Sequence, residues 1–236
     1  MLGTRIVTHV VATNPNLPSV PMPSVLTSIS GCLAAWEFRS RSDATGNVPM
    51  LPAGLTFSST GLVLPGGTFA VATGLKPSTP YCTVALAAMP AADISATGYF
   101  LGSLASTSGF GMNFDSATNQ VAAVQIKSDG SVAATTATTQ PKGEWFGLVV
   151  AVNTTQIWGL VDAGSNISSP TYTSGALAAP TNQLYLGSRE GAGSGLKCTL
   201  GALAVYDHYL DDTGRTQAMG LLRQVMATKG VTLPGG

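Results

Sequence analysis

Trp145-Phe146-Gly147-Leu148-Val149-Val150-Ala151-Val152, then Asn153-Thr154-Thr155, then Gln156-Ile157-Trp158-Gly159-Leu160-Val161 and Asp162-Ala163-Gly164, is the stretch on which the reading of the fold turns. The first run is almost wholly apolar, which suits a strand covered on both faces. Asn153-Thr154-Thr155 turns the chain, Gln156–Val161 returns as a second strand, and Asp162-Ala163-Gly164 ends it.

Outward from this hairpin the chain keeps a period of two. Leu33–Phe38, Gly61–Leu64, Tyr81–Leu86, Val121–Lys127, Gln183–Gly187 and Cys198–Tyr206 all read as strands. Along Val121–Lys127, the residues Ala122, Val124 and Ile126 share one face. Ser128-Asp129-Gly130-Ser131 is a hairpin turn, because Asp-Gly accepts the positive φ angles of type I′. Many short strands between Gly-, Ser- and Asn-rich turns indicate an all-β sandwich or barrel. One segment, about 212–229, reads as a helix. Asp211 or Asp212 caps it, Ala218, Leu221, Leu222, Val225 and Met226 form a core-facing stripe, and Lys229 and Gly230 stop it. Gly214 and Gly220 each weaken it by about 1 kcal/mol relative to Ala.

Charged residues make up 9% of the 236, with 11 Lys+Arg balanced by 11 Asp+Glu. An average soluble domain carries roughly 25%. No basic patch dense enough for nucleic acid is present. The 44% hydrophobic content is the reverse of a disordered composition, and no apolar window reaches the length of a membrane-spanning helix. No nucleic-acid partner and no membrane insertion are therefore expected. Met1–Thr13 lacks the unbroken apolar core and cleavage site of a secretory signal. Pro15, Pro18, Pro21 and Pro23 then make the segment extended. Residues 1–28 are read as an extended arm with a Pro-rich spacer, lying either on a neighbour or on its own domain, and 29–236 as one domain. Cys32, Cys82 and Cys198 are odd in number and sit in apolar contexts. They are expected as buried free thiols, with one bridge plus a free thiol as the alternative.

Four stretches resemble the concanavalin A-like lectin/glucanase domain in its laminin G-like branch, over about residues 29–230. Gly31–Phe38 resembles the opening strand and Asp43-Ala44-Thr45-Gly46-Asn47 the polar turn after it. Trp145–Gly164 resembles the central hairpin, with Ala163 interrupting the usual Asp-Gly turn. Leu184–Gly187 and Leu200–Asp207 resemble the last two strands, and Leu210-Asp211-Asp212 the turn into a short helix. The resemblance implies a two-sheet jelly-roll sandwich with one short C-terminal helix. Such domains occur in carbohydrate-binding modules, adhesins, some glycosidases and bacteriophage tail and surface proteins, so fold alone does not decide function.

Enzyme chemistry finds no footing. A retaining glucanase needs two carboxylates about 5–5.5 Å apart, which residues two apart on a strand supply. Glu37, Glu144 and Glu190 are the only glutamates, and none lies two residues from another acid. There is no Gly-x-Ser-x-Gly. Asp207-His208 reads as a surface hydrogen bond, and Gly191–Lys197 as a flexible turn rather than a phosphate loop. No cofactor and no catalytic residue are expected. The resemblance also implies a calcium site at one rim, to which Asp43, Asp115 and Asp162 are the candidate contributors, and this metal site stays open. Tyr99, Phe100, Phe110, Phe114 and Tyr172 fall in loop-like surroundings, where aromatics serve either sugar stacking or ordinary packing.

The expected role is a non-enzymatic structural subunit of a virion: a bacteriophage tail, baseplate or capsid-decoration protein. Unpaired thiols fit a reducing site of synthesis. Sparse charge and apolar residues on both faces of several strands fit a surface covered by neighbours. The expected partners are further copies of the chain (a homo-oligomer), other virion proteins and a host-surface glycan. The alternative is a secreted carbohydrate-binding module or adhesin.

Overall fold

The computed structural model describes residues 24–162, 165–172, 175–191 and 193–235. The expected arm over 1–23 lies outside them. Its last residues do not extend: Val25–Ser28 is one turn of 3-10 helix, opened by the Ser24 hydroxyl and anchored by buried Leu26.

Among the described residues, fifteen strands and one α-helix follow. The strands are β1 (Cys32–Trp36), β2 (Thr56–Phe57), β3 (Leu62–Gly67), β4 (Val71–Ala72), β5 (Thr83–Pro90), β6 (Gly98–Gly102), β7 (Phe110–Asp115) and β8 (Gln120–Ile126). The second half adds β9 (Val132–Ala134), β10 (Thr138–Thr139), β11 (Phe146–Val152), β12 (Ile157–Val161), β13 (Ser165–Ser168), β14 (Tyr185–Leu186) and β15 (Gly195–Tyr206). The helix α1 is Asp212–Ala227. The chain is thus mostly β with one short C-terminal helix, as the sequence reading has it.

Hydrogen bonds join the strands into one network in the order β10-β8-β7-β6-β15-β5-β11-β12-β13. The long strand β15 is its hub: it pairs antiparallel with β1, β3 and β5 and touches β6 in parallel at Gly195 and Tyr99. The two ends of this order also approach each other, because the Thr136 amide, just past β9, donates to the Ser168 carbonyl of β13 at 2.8 Å. The β8–β9 hairpin forms where expected with a different turn. Only Gly130 among its turn residues takes a positive φ, so the loop is a type I turn closed by a left-handed glycine rather than type I′.

Strand alternation sorts the interior into two cores. Val84, Leu86, Ala88, Phe146, Leu148, Val150, Leu203 and Val205 fill the larger one, with Trp36 and Phe38 stacked nearly parallel at 6.5 Å. The alternate residues Ala35, Ala85, Ala87, Val149, Ala202 and Ala204 form the opposite face, and α1 lies on them. The two-faced apolar strands are therefore covered on their second face by the chain's own helix. Ala218, Leu221, Leu222, Val225 and Met226 are buried there, as the helical stripe predicts. At roughly 1.5–3 kcal/mol per buried large side chain, this contact supplies what a 16-residue helix lacks in isolation.

Both helix ends are fixed locally. The Asp211 carboxylate accepts the Gly214 amide at 2.8 Å. At the far end the Gly230 amide donates to Ala227 at 3.0 Å and the Val231 amide to Met226 at 3.1 Å, the paired bonds of a Schellman stop. Beyond it the Lys229 ammonium donates to the carbonyls of Glu37, Thr60 and Gly201, tying the helix end to β1, the β2–β3 turn and a bulge in β15.

The helix approaches closely because the sheet has no side chain at two points. A Cβ on Gly147 would meet Met219 Sδ at 2.5 Å, and one on Gly201 would meet Met226 at 2.5 Å and Trp145 at 2.8 Å. Gly147→Val is therefore expected to destabilise the protein by about 1–3 kcal/mol through overpacking. Gly220→Ala, whose Cβ meets nothing within 4 Å, is expected to stabilise it by up to ~1 kcal/mol. Urea midpoints measure both.

All three thiols are free, with Cys82 and Cys198 buried and Cys32 half-buried. Burial pushes Cys82 up to about 12 and, helped by Asp43, Cys32 up to about 11; burial also raises Cys198. Each stays neutral in the folded chain at a pH where the unfolded chain already ionises it. The folded state then holds more protons, so this stability is complete below the ordinary thiol value and is lost as pH rises through the folded one. Buried Tyr206 acts in the same direction above its own ordinary value. Lys229, pushed down to about 8 chiefly by burial and then by Arg39, acts oppositely but is a single group. The unfolding free energy is expected to fall steadily above about pH 9, by at most about 1.4 kcal/mol per pH unit for each buried thiol, and the denaturation midpoint with it. The Cys82→Ala/Cys198→Ala double variant should show a flatter slope in the same titration.

Candidate functional site

The acidic residues singled out in the sequence are engaged in local turns. Asp43 accepts the amides of Ala35 at 2.7 Å, Thr45 at 3.2 Å and Asn47 at 3.0 Å, together with the Thr45 hydroxyl. Thr45 and Asn47 side chains in turn donate to the Leu33 carbonyl, so the polar turn after β1 is stapled to the strand. Asp115 accepts from Thr97, the Ala117 amide and Thr118, which hold its carboxyl below the ordinary range. Asp162, in the left-handed region at φ 49°, accepts the Gly147 amide at 2.8 Å while its own amide donates to the Gly147 carbonyl at 2.9 Å. Its carboxylate thus replaces a ladder carbonyl at the end of the central hairpin, and burial raises its pKa. The three aspartates sit in three different turns, and no group of three His, Cys, Asp or Glu side chains converges among the described residues.

The glutamates are dispersed. Glu37 pairs with Arg39 at 3.4 Å, Glu190 pairs with its neighbour Arg189 at 2.8 Å, and Glu144 is exposed ahead of β11. Asp207 and His208 meet at 2.8 Å with side chains 48% and 43% exposed, the expected surface pair. Lys197, at the end of the Gly-rich segment, lies in β15 and reaches Asp93 at 2.5 Å. No helix follows it to cradle a phosphate.

Of the five aromatics, three belong to the core. Phe100, Phe110 and Phe114 lie in β6 and β7, where Phe100 packs edge-on against Phe114 at 6.2 Å and Phe146 at 5.5 Å. The expected loop is here two paired strands. Glycines at both ends of Gly98-Tyr99-Phe100-Leu101-Gly102 hid the alternation, and a register shift between Tyr99 and Leu101 breaks it further. Tyr99 is half-buried in β6 over Gly111.

Tyr172 lines a cleft. About 250 Å³ in volume, the cleft is bounded by Lys127, by Val132, Ala133 and Ala134 of β9, and by Pro170, Thr171 and Tyr172. The Lys127 ammonium lies 5.7 Å from the centre of the Tyr172 ring, a cation–π distance. A second cleft, about 270 Å³, contains the Asp93–Lys197 pair above Gly66, Gly67 and Gly195. The sequence leaves Tyr172 open between sugar stacking and packing, and the residues around it come together only through chain folding.

No protein-family model matches the chain, and no curated protein matches it. Among solved structures it is similar to domain 4 of AbnA, a GH43 extracellular arabinanase from Geobacillus stearothermophilus, in complex with arabinotriose. That match has 16% identity and a TM-score of 0.62, covering 81% of this chain and 98% of that one. It is also similar to the botulinum neurotoxin type G receptor-binding domain, at 8% identity and TM-score 0.62, covering 81% of this chain and 51% of that one. Trypanosoma rangeli sialidase matches at 15% identity and TM-score 0.61, covering 87% of this chain and 34% of that one. The chain thus spans about half the length of the neurotoxin domain and a third of the sialidase. At these identities the likeness is one of fold: a β-sandwich or barrel of the lectin-like kind.

Proposed function

We propose that the chain is a non-enzymatic binding module on a concanavalin A-like two-sheet jelly-roll sandwich. We place it as a surface subunit of a virion, in a bacteriophage tail, baseplate or capsid decoration, where it works through protein–protein contacts and a host-surface glycan. The observation that carries the non-enzymatic reading is the engagement of the acids. Asp43, Asp115 and Asp162 are held by donors of their own turns, and Glu37 and Glu190 by neighbouring arginines. That leaves no pair at hydrolytic spacing in the sequence. The virion placement rests on composition rather than on the structural likenesses: 9% charge and three thiols without a bridge.

A second reading, a secreted carbohydrate-binding module or adhesin, is favoured by the likeness to an arabinanase domain solved with arabinotriose. Purified protein on a glycan array, with light scattering at micromolar concentration and pull-down against virion proteins, separates the two. The virion reading expects a defined oligomer or a virion-protein complex, with or without glycan binding. A monodisperse monomer that ignores virion proteins yet binds glycan saturably would favour the secreted module.

A further inference from the structure

Three strands meet at one glycine-rich corner of the sheet. Gly195 opens β15 opposite Gly67, the last residue of β3, and pairs with Tyr99 of β6. The strands approach too closely there for side chains. A Cβ on Gly66 would meet the Lys197 amide nitrogen at 2.9 Å, and one on Gly195 would meet the Gly67 carbonyl oxygen at 2.7 Å. Gly66, Gly67 and Gly195 therefore bring bare peptide backbone to a cleft of about 270 Å³, which Pro65, Asp93, Ile94, Ser95 and Lys197 also line.

The charged pair in this cleft is fixed from both sides. The Ile94 amide donates to the Ala91 carbonyl at 3.1 Å, closing a turn that carries Asp93. The Ala91 amide donates to the Lys197 carbonyl at 3.0 Å, which ties that turn to β15, and the Lys142 ammonium donates to the Ile94 carbonyl at 3.0 Å. The Lys197 ammonium donates to the Asp93 carboxylate at 2.5 Å and holds its pKa below the ordinary range. Both side chains stay open to solvent, Lys197 at 49% and Asp93 at 70% exposure. An exposed ion pair contributes little to stability, so the fold does not account for this placement in a chain with only 9% charge. A few polar groups, held in advance around a concave site, are what small-ligand recognition requires.

We propose that the Asp93–Lys197 cleft binds one neutral sugar ring through two of its adjacent hydroxyls. This rests on the reading of the chain as a glycan-binding module and gives that reading a location. The ion pair commits one of the three ammonium protons and leaves the carboxylate further lone pairs. Each sugar hydroxyl both donates and accepts, so adjacent hydroxyls donate to Asp93 and accept from Lys197. Pro65 and Ile94 receive C–H groups of the ring, and the glycines let it approach the backbone. All of these groups line the same cleft, and the two charged ones are exposed to solvent. The pair carries no net charge, so an acidic sugar gains no net attraction and sets its carboxylate against Asp93. At about 270 Å³ the cleft falls below the ~300–1,000 Å³ of drug-sized sites, which limits it to a single ring of a longer glycan.

The test titrates L-arabinose, D-galactose, D-glucose and N-acetylneuraminic acid into the full-length ¹⁵N-labelled protein, together with any glycan-array hit. At least one neutral sugar is expected to shift the amides of Gly66, Gly67, Asp93, Ser95, Gly195 and Lys197 saturably. Asp93→Asn and Lys197→Met should each weaken that binding about tenfold or more, the loss of a charged hydrogen bond. Because the pair is exposed, both variants should keep the parent's melting temperature closely, a split between binding and stability that a structural ion pair would not give. N-acetylneuraminic acid bound in this cleft as tightly as the neutral sugars overturns the assigned ligand class. A sugar that shifts amides elsewhere, or binds both variants as tightly as the parent, overturns this site and leaves the glycan-binding reading standing. No saturable shift with any sugar or array hit overturns both.

Discussion

The contact between α1 and the floor of small residues beneath it organises the molecule. Ala35, Ala85, Ala87, Ala202 and Ala204 are fully buried, and Gly147 and Gly201 leave notches for Met219 and Met226. Larger residues on that face would lift the helix off the sheet, and overpacked cores strain rather than adapt. The same strands send Leu, Val and Phe side chains into the other core, so one set of hydrogen-bonded strands serves two interiors. Lys229 then fastens the helix end to three separate segments through their carbonyls.

Covering the second face internally changes what the composition means. Apolar residues on both faces of Phe146–Val152 suggest coverage by a neighbour, yet the neighbour is residues 212–227 of the same chain. Scarce charge remains unexplained by this contact, because α1 and the sheet account for buried positions rather than for the exterior.

Much of this was legible in the sequence. The central hairpin, β15, the Asp211 cap and the helical stripe each carry a local signal that packing then rewards. Other features were not legible because their cause is non-local. Phe100 and Phe114 sit in strands whose flanking glycines mimic a loop, and only pairing with β7 and β15 reveals them. The identity of the inward face of β8 was equally hidden: Ala122, Val124 and Ile126 form an apolar set, but Val121, Ala123, Gln125 and Lys127 are the buried ones. Asp43, Asp115 and Asp162 were visible as acids, whereas their engagement by backbone donors depends on turn geometry that no spacing rule supplies.

Native-state amide hydrogen exchange on dilute protein tests the self-covered sheet most directly. Amides of Asp212–Ala227 should open together with those of Phe146–Val152 and Gly195–Tyr206, with one free energy and one denaturant dependence, unchanged by protein concentration. Helix amides that exchange far faster than the strands in dilution, and gain protection only as concentration rises, would contradict the account and return that face to a partner.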